Sequence, residues 1–224
     1  RQGERLVARL AHNHTPKDVL SEPYALTLTE RGVLDNIAFT PLKRRAPGVG
    51  EIEVEVLASG LNFRDVLNVL GMYPGDPGAP GTEIAGVVTM VGEGVTALKV
   101  GDSVVGIAAH AFDSHVITRP EMVVAKPDRL SFAEAATIPV AFLTAHYGLH
   151  HLAHIKPGAR VLIHAAAGGV GLAAVQIALR MGAEVFGTAG SPEKRAFLTS
   201  LGVQHVHNSR TLDFADEIQR LTAG

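Results

Sequence analysis

The chain has 224 residues, with 46% hydrophobic and 19% charged residues and a formal net charge of −2. That length suits one large or two modest domains with a sizeable core, and that balance excludes a disordered chain and argues against binding to nucleic acid or an anionic membrane surface. The absence of cysteine removes disulfides, thiolate chemistry and cysteine-ligated zinc together. No apolar run approaches the length of a membrane span and no signal peptide opens the chain, so a soluble cytoplasmic protein is expected. The chain opens on Arg1 rather than a methionine, and Arg1 to Arg9 reads as a linker cut from a longer polypeptide.

Arg5 to Leu10 alternates loosely as a strand, and His12 and His14 follow in a polar loop. Tyr24 to Leu28 and Leu34 to Phe39 are further strand candidates, and Pro47-Gly48 makes a turn. Glu51 to Val56 alternates with period two, which predicts a half-buried strand. Short strands between glycine turns continue through Ala85 to Val91, Ser103 to Ile107, His115 to Ile117 and Met122 to Val124. This half reads as an all-β barrel or sandwich.

The pattern changes near Pro127. Ser131 and Glu134 make a capping box before an apolar run, with helix expected over Ala133 to Ile138 and Phe142 to His151. From Arg160 onward strands and helices alternate: a strand at Val161 to Ile163, a helix from Leu172 to Met181, a strand at Glu184 to Thr188, a helix opened by Ser191 as N-cap and Pro192, a strand at Val203 to Asn208, and a helix at Phe214 to Leu221. Gly182 stands where a helix-terminating glycine would. The predicted division is a β-rich unit over residues 1–127 and a nucleotide-binding unit over 128–224. A doubly wound dinucleotide fold orders its strands 3-2-1-4-5-6. Only its first half is recognisable here, so the fold is expected to be truncated.

Between the first of these strands and its helix lies Ala165-Ala166-Ala167-Gly168-Gly169-Val170-Gly171. A pyrophosphate needs main-chain N–H groups pointed at it, and the first turn of a helix supplies them with the positive end of a dipole. Side chains at Gly168, Gly169 or Gly171 would obstruct that approach or the packing of helix on strand. A glycine turn between strand and helix is the setting that gives the motif meaning. Ala167 to Gly171 are therefore candidate cofactor-binding residues; the alternative is a tight turn that binds nothing.

The cofactor type is also legible. In NAD sites an acidic residue about 20 positions beyond the glycines holds the ribose 2′-hydroxyl. Here that place reads Thr188-Ala189-Gly190-Ser191-Pro192-Glu193-Lys194-Arg195, with no acid at the strand end. Lys194 and Arg195 lie one turn into the next helix, where one of them reaches back, and Ser209-Arg210 ends the third strand. A guanidinium suits a phosphate in bidentate geometry. Ala189, Gly190, Ser191, Lys194, Ser209 and Arg210 thus favour NADPH over NADH. The alternatives are a solvated helix face for Lys194 and Arg195 and a surface ion pair for Arg210.

The chain resembles medium-chain dehydrogenase/reductases of the quinone-oxidoreductase branch, and most of all the enoylreductase domains of modular polyketide synthases and multifunctional fatty acid synthases. The resemblance runs from about Val7 to the last residue and rests on Gly60 to Leu67 (GLNFRDVL), Gly71 to Pro74 (GMYP), Gly81 to Gly86 (GTEIAG), Val91 to Val95 (VGEGV), Val100 to Val104 (VGDSV), Ala136 to Ala145 (ATIPVAFLTA), His164 to Gly171, and Ser209-Arg210. It implies a fold of class α/β, a groES-like β-barrel domain followed by a Rossmann-type nucleotide domain, with the active site between them. It implies hydride transfer from NADPH to the β-carbon of an α,β-unsaturated thioester on an acyl carrier protein, inside a multienzyme with other domains and with a homodimer as one assembly. Zinc relatives carry cysteine where Asn62 stands and histidine where Thr82 stands, so no metal is expected. Asn62 is implied to face the nicotinamide, and Thr144, at the start of a helix, to contact its ribose; a turn amide and a core threonine are the alternatives. Leu67 holds a position where some relatives have a tyrosine that influences α-carbon stereochemistry. Tyr73 is read as structural. The family's lysine and aspartate proton donors would fall after Gly224, so no catalytic residue is assigned.

Three further readings compete. His146, His150 and His154, with His151 beside them, share helical spacing but lack a carboxylate, which favours a solvated histidine face over a metal site. His164 reads as a buried strand residue. Asp65 and Arg64 pair with each other or cap local backbone. Against the enoylreductase stand a free-standing NADPH quinone or enone reductase and a nucleotide-binding structural domain without turnover.

Overall fold

A computed structural model of the chain describes residues 22–223. The strand expected at Arg5 to Leu10, the loop histidines His12 and His14 and the linker at the start lie outside the described residues. The first elements are β1 (Tyr24–Leu28) and β2 (Ile37–Pro41), paired antiparallel. Between them Leu34–Asn36 winds as a 3-10 turn, so the strand expected from Leu34 begins only at Ile37.

A second antiparallel sheet contains β3 (Ile52–Gly60), β4 (Glu83–Val91), β5 (Ser103–Ile107), β6 (His115–Thr118) and β7 (Val123–Ala125), in the order β6-β3-β4-β5-β7. The short helix α1 (Phe63–Val69) leaves the end of β3. One face of the sheet packs Ile52, Val54, Ile84, Val88, Val104 and Val116 into a core of β-branched side chains, which suit a pleated surface. The other face, through Ala85 and Val105, is covered by Ala135 and Ala136 of α2 (Phe132–Ala136). Fully burying each large aliphatic side chain contributes about 1.5–3 kcal/mol.

The start of β3 overturns one expectation. Alternation predicted Glu53 on a solvated face, yet Glu53 is 1% exposed. Arg44 donates two hydrogen bonds to its carboxylate, at 3.0 and 2.5 Å, and Thr89 Oγ1 a third. Burial pushes the carboxyl of Glu53 up, but the hydrogen bonds from Arg44 and Thr89 outweigh it and hold the group below its ordinary range.

The capping box forms as predicted: Glu134 N–H donates to Ser131 Oγ at 3.2 Å, and Ser131 N–H to Glu134 at 2.8 Å. Helix does not run evenly from there to His151. After α2, α3 (Pro139–His146) begins afresh, and Tyr147–Leu152 continues it as a π turn. Then β8 (Arg160–Ile163), β9 (Glu184–Ala189) and β10 (His205–Asn208) form a parallel sheet in the order β10-β9-β8. They alternate with α4 (Gly169–Arg180), α5 (Pro192–Ser200) and α6 (Asp213–Thr222). The core here is alanine-rich: Ala145, Ala166, Ala173, Ala174, Ala178, Ala183 and Ala189 pack around Val175, Val185, Leu198 and Val203. Small side chains let α4 lie close on the strands. Among the described residues no helix is long and apolar enough to cross a membrane.

Candidate cofactor site

The parallel sheet brings the predicted cofactor residues to one edge. Ile163 of β8 pairs with Gly187 of β9, and Ala189 with Asn208 of β10, so all three strands end on the same side. The turn after β8, the Gly190 turn after β9 and Ser209-Arg210 after β10 therefore meet at the carboxyl ends of the strands, where open α/β sheets bind ligands.

The glycines of the first turn have separate tasks. Helix α4 begins at Gly169, three residues before the expected start, with Gly168 as an extended N-cap. A Cβ on Gly171 would lie 2.3 Å from Ala165 O and 2.7 Å from Ala166 Cα, so Gly171 is fixed by packing. A Cβ on Gly169 would meet nothing within 4 Å, which leaves open space above the first turn. Leu172 N–H closes on Gly168 O at 2.8 Å, whereas the N–H groups of Gly169, Val170 and Gly171 have no partner among the described residues. Free donors, a helix dipole and open space above Gly169 fit a pyrophosphate. Val170 is exposed, Ala167 half-buried.

At the second turn, Ser191 caps α5 by accepting Lys194 N–H at 3.3 Å, with Pro192 following. Arg195 reaches back and donates to Ala189 O and Gly190 O, both at 3.2 Å; the side chain of Lys194 is exposed and does not share that contact. Sequence order alone left that choice between neighbours open. A Cβ on Gly190 would sit 2.7 Å from Arg210 Nε, so the guanidinium lies across the bare Gly190 backbone. Among the described residues Arg210 forms no ion pair. Glu193 stands beside these cations; its own main-chain N–H, then the Ser191 hydroxyl and the charge of Arg195, hold its carboxyl low. Arg195 is thus partly answered by Glu193, and Arg210 is the freer cation.

His164 corrects the sequence reading. It lies in the turn after β8, exposed rather than buried in a strand, with Nδ1 3.1 Å from Thr188 Oγ1 and its ring edge-on to Phe214. The strand stops at Ile163, and Ala165 turns with φ +48°.

The residues expected to face the nicotinamide begin in the β unit. Asn62 is the extended N-cap of α1; its N–H donates to Asp65 Oδ2 at 2.9 Å, and Asp65 Oδ1 accepts Gly81 N–H at 2.8 Å. Asp65 therefore caps local backbone and does not pair with Arg64, which donates to Pro77 O and lies over the Tyr73 ring. The Asn62 side chain donates from Nδ2 to Glu83 Oε1 at 2.8 Å. Glu83, 3% exposed, also accepts Val140 N–H through Oε2 at 2.7 Å. Sequence reasoning quoted Glu83 only within the Gly81 to Gly86 motif and gave it no role of its own. Leu67 is half-buried on α1, and its carbonyl accepts from Met72 and Tyr73. Thr144 stands in the second turn of α3, exposed, not at the helix start as expected.

The histidines of the π turn face solvent. His146 stacks on His150 at 4.9 Å, with His151 edge-on to both. Among the described residues no cluster of three or more histidine or acidic side chains has metal-holding geometry.

Two family models match the chain: the alcohol dehydrogenase GroES-like domain over residues 48–146 and the zinc-binding dehydrogenase over 169–224. The chain is 47% identical over 218 residues to the erythronolide synthase EryA2 of Saccharopolyspora erythraea, an alignment that takes in 90% of the chain and 6% of that protein. It is 46% identical over 202 residues to a phenolphthiocerol/phthiocerol polyketide synthase of Mycobacterium tuberculosis, over 89% of the chain and 9% of that protein. The crystal structure of CurK enoyl reductase superposes with a TM-score of 0.86 at 54% identity, over 91% of this chain and 64% of that one. Escherichia coli quinone oxidoreductase, complexed with NADPH, superposes with a TM-score of 0.80 at 35% identity, over 90% and 63%. The chain thus spans a small part of these curated relatives and less than two thirds of either solved chain.

Proposed function

This chain belongs to the medium-chain dehydrogenase/reductase family, in the branch of quinone oxidoreductases and polyketide enoyl reductases, and from that premise we propose that it binds NADPH and reduces the carbon–carbon double bond of an α,β-unsaturated acyl thioester carried on an acyl carrier protein. Residues 1–127 would form the substrate-facing unit and 128–224 the nucleotide unit, working in the cytoplasm beside other domains of a multienzyme.

The observation that carries this reading is the common edge of β8, β9 and β10. Three unpartnered N–H groups at Gly169, Val170 and Gly171 stand there beside the Arg210 guanidinium on Gly190. The N–H groups suit the pyrophosphate. Arg210, with Arg195 behind it and Ser191 and Ser209 beside it, suits the 2′-phosphate that separates NADPH from NADH. No acidic side chain occupies the end of β9 to take a ribose hydroxyl instead. When bound, NADPH supplies a hydride to the β-carbon. The double-bond electrons move onto the thioester oxygen as an enolate, and a proton then adds at the α-carbon. Asn62 would hold the nicotinamide end in place, with Leu67 and Thr144 bordering the cleft.

The test is titration of the protein with NADPH and NADH, followed by nicotinamide oxidation with a crotonyl thioester and with a quinone. Saturable NADPH binding with thioester turnover supports the proposal. Quinone turnover without thioester turnover replaces it with a free-standing quinone reductase, and binding without turnover with a nucleotide-binding structural domain. No saturable NADPH signal removes the reductase altogether.

A further inference from the structure

Helix α3 starts without a cap of its own. Its N-cap position is Ile138, which has no side-chain acceptor, and Pro139 has no N–H to offer. The first free donor, Val140 N–H, is capped from across the fold by Glu83 Oε2 on β4. A carboxylate there also answers the positive end of the helix dipole. Among the described residues this is the one side-chain hydrogen bond joining residues 22–126 to residues from Ser131 onward. The other carboxylate oxygen accepts from Asn62 Nδ2. Space for this arrangement is cleared by Gly60, where a Cβ would lie 2.2 Å from Glu83 Oε1.

The chemistry of Glu83 fixes the polarity of Asn62. Both carboxylate oxygens face donors, so the amide must turn its NH2 to Glu83 and has its carbonyl oxygen left to offer elsewhere. The N–H of Asn62 is already committed to Asp65, which holds the residue at the main chain as well. We propose that Glu83 is a positioning residue: it sets which end of the Asn62 carboxamide meets the nicotinamide and ties that end to the start of α3. The inference rests on the reading of Asn62 as a nicotinamide neighbour. An oxygen presented there accepts from a carboxamide NH2 of the cofactor; a flipped amide would present a donor.

Glu83→Gln is the direct test, because it keeps the shape and inverts one hydrogen-bonding end. With its oxygen on Val140 N–H, glutamine turns an NH2 toward Asn62 and forces the amide to flip. In the full-length protein, kcat for thioester reduction is expected to fall about tenfold, which corresponds to one lost hydrogen bond to a reacting group. Binding of 2′,5′-ADP, which occupies only the adenosine end, should not change. Asn62→Ala with Glu83→Gln should be no slower than Asn62→Ala alone, since Glu83 acts through Asn62. Gly60→Ala, which drives a methyl against Glu83, is the second route if Glu83→Gln fails to fold; its kcat should fall in the same proportion. Unchanged kcat in either variant, additive losses in the double variant, or a loss matched by weaker 2′,5′-ADP binding would overturn the inference. A parent protein that neither binds nor oxidises NADPH removes the functional reading, and the inference with it.

Discussion

The two halves of the molecule join their distant pieces by different means. In the β half, four carboxylates are buried: Glu53, Asp65, Glu83 and Asp113. Each ties separate pieces together, Glu53 to Arg44 and Thr89, Asp65 to Asn62 and Gly81, Glu83 to Asn62 and Val140, Asp113 to Leu26 N–H. The nucleotide half buries no carboxylate among the described residues; alanine and glycine bring its main chains together. The β half is therefore sensitive to loss of a partner, and the nucleotide half to a methyl added where its main chains touch, as at Gly171.

The strongest attack on the second half is Gly171→Val. Its side chain would collide with the carbonyl of Ala165, and a destabilisation of about 3 kcal/mol is expected, with loss of NADPH binding, by thermal melting and titration. Gly169→Ala sharpens the point. Its methyl meets nothing, so folding should be unharmed or improved by about 0.5–1 kcal/mol while NADPH binds more weakly. Equal damage from both would mean that the turn is packed throughout.

In the β half, Arg44→Met leaves Glu53 buried without its cation. Because the Arg44 side chain is 36% exposed and water replaces part of the contact, about 2 kcal/mol is expected rather than the full loss of a buried pair. The pH dependence should also change sign. In the parent the pKa of Glu53 lies below its ordinary value of 4.5, so its contribution is complete above that pH and is lost as pH falls through the folded value. In Arg44→Met burial, the largest influence, is opposed only by the Thr89 hydrogen bond and the charge of His115 and raises the pKa, so lowering the pH from neutrality should now increase stability. Denaturant melts across acidic pH decide it.

Smaller effects fall on the cations of the nucleotide half. Arg210→Ala should weaken NADPH binding about tenfold and leave NADH unchanged, as one charge-assisted contact is worth. Lys194→Ala should weaken it less than about twofold, because that side chain stands in solvent and does not reach back over the strand ends. If Lys194 proved the stronger of the two, the phosphate would lie on the α5 side of Gly190.

The same contrast explains what the sequence made legible. Devices in the nucleotide half are local: the glycine turn, Ser191 with Pro192, and Gly182 at φ +74° are each written within a few residues. So is the capping box at Ser131 and Glu134. Apart from Asp65 with Asn62, the β-half devices join residues farther apart in the chain, and neighbouring sequence does not announce them. Glu53 looked solvated because alternation cannot show that Arg44 and Thr89 close over its carboxylate. Glu83 joins Asn62 and Val140, 21 and 57 positions away. The exposure of His164 and the place of Thr144 follow from where a strand stops and a helix restarts, which are boundary matters.

The π turn at Tyr147–Leu152 has a consequence for the path of α3. Wider winding admits one residue more than an α-helical turn would; within it Leu149 packs on the alanine core while His150 and His151 stand exposed, and Ile155 enters the core beyond it. Deleting one residue from this segment would turn the residues between the deletion and Leu152 by about 100°. The helical run capped by Glu83 thus closes on its widest turn, and the chain leaves it for β8 with Ile155 inside the core.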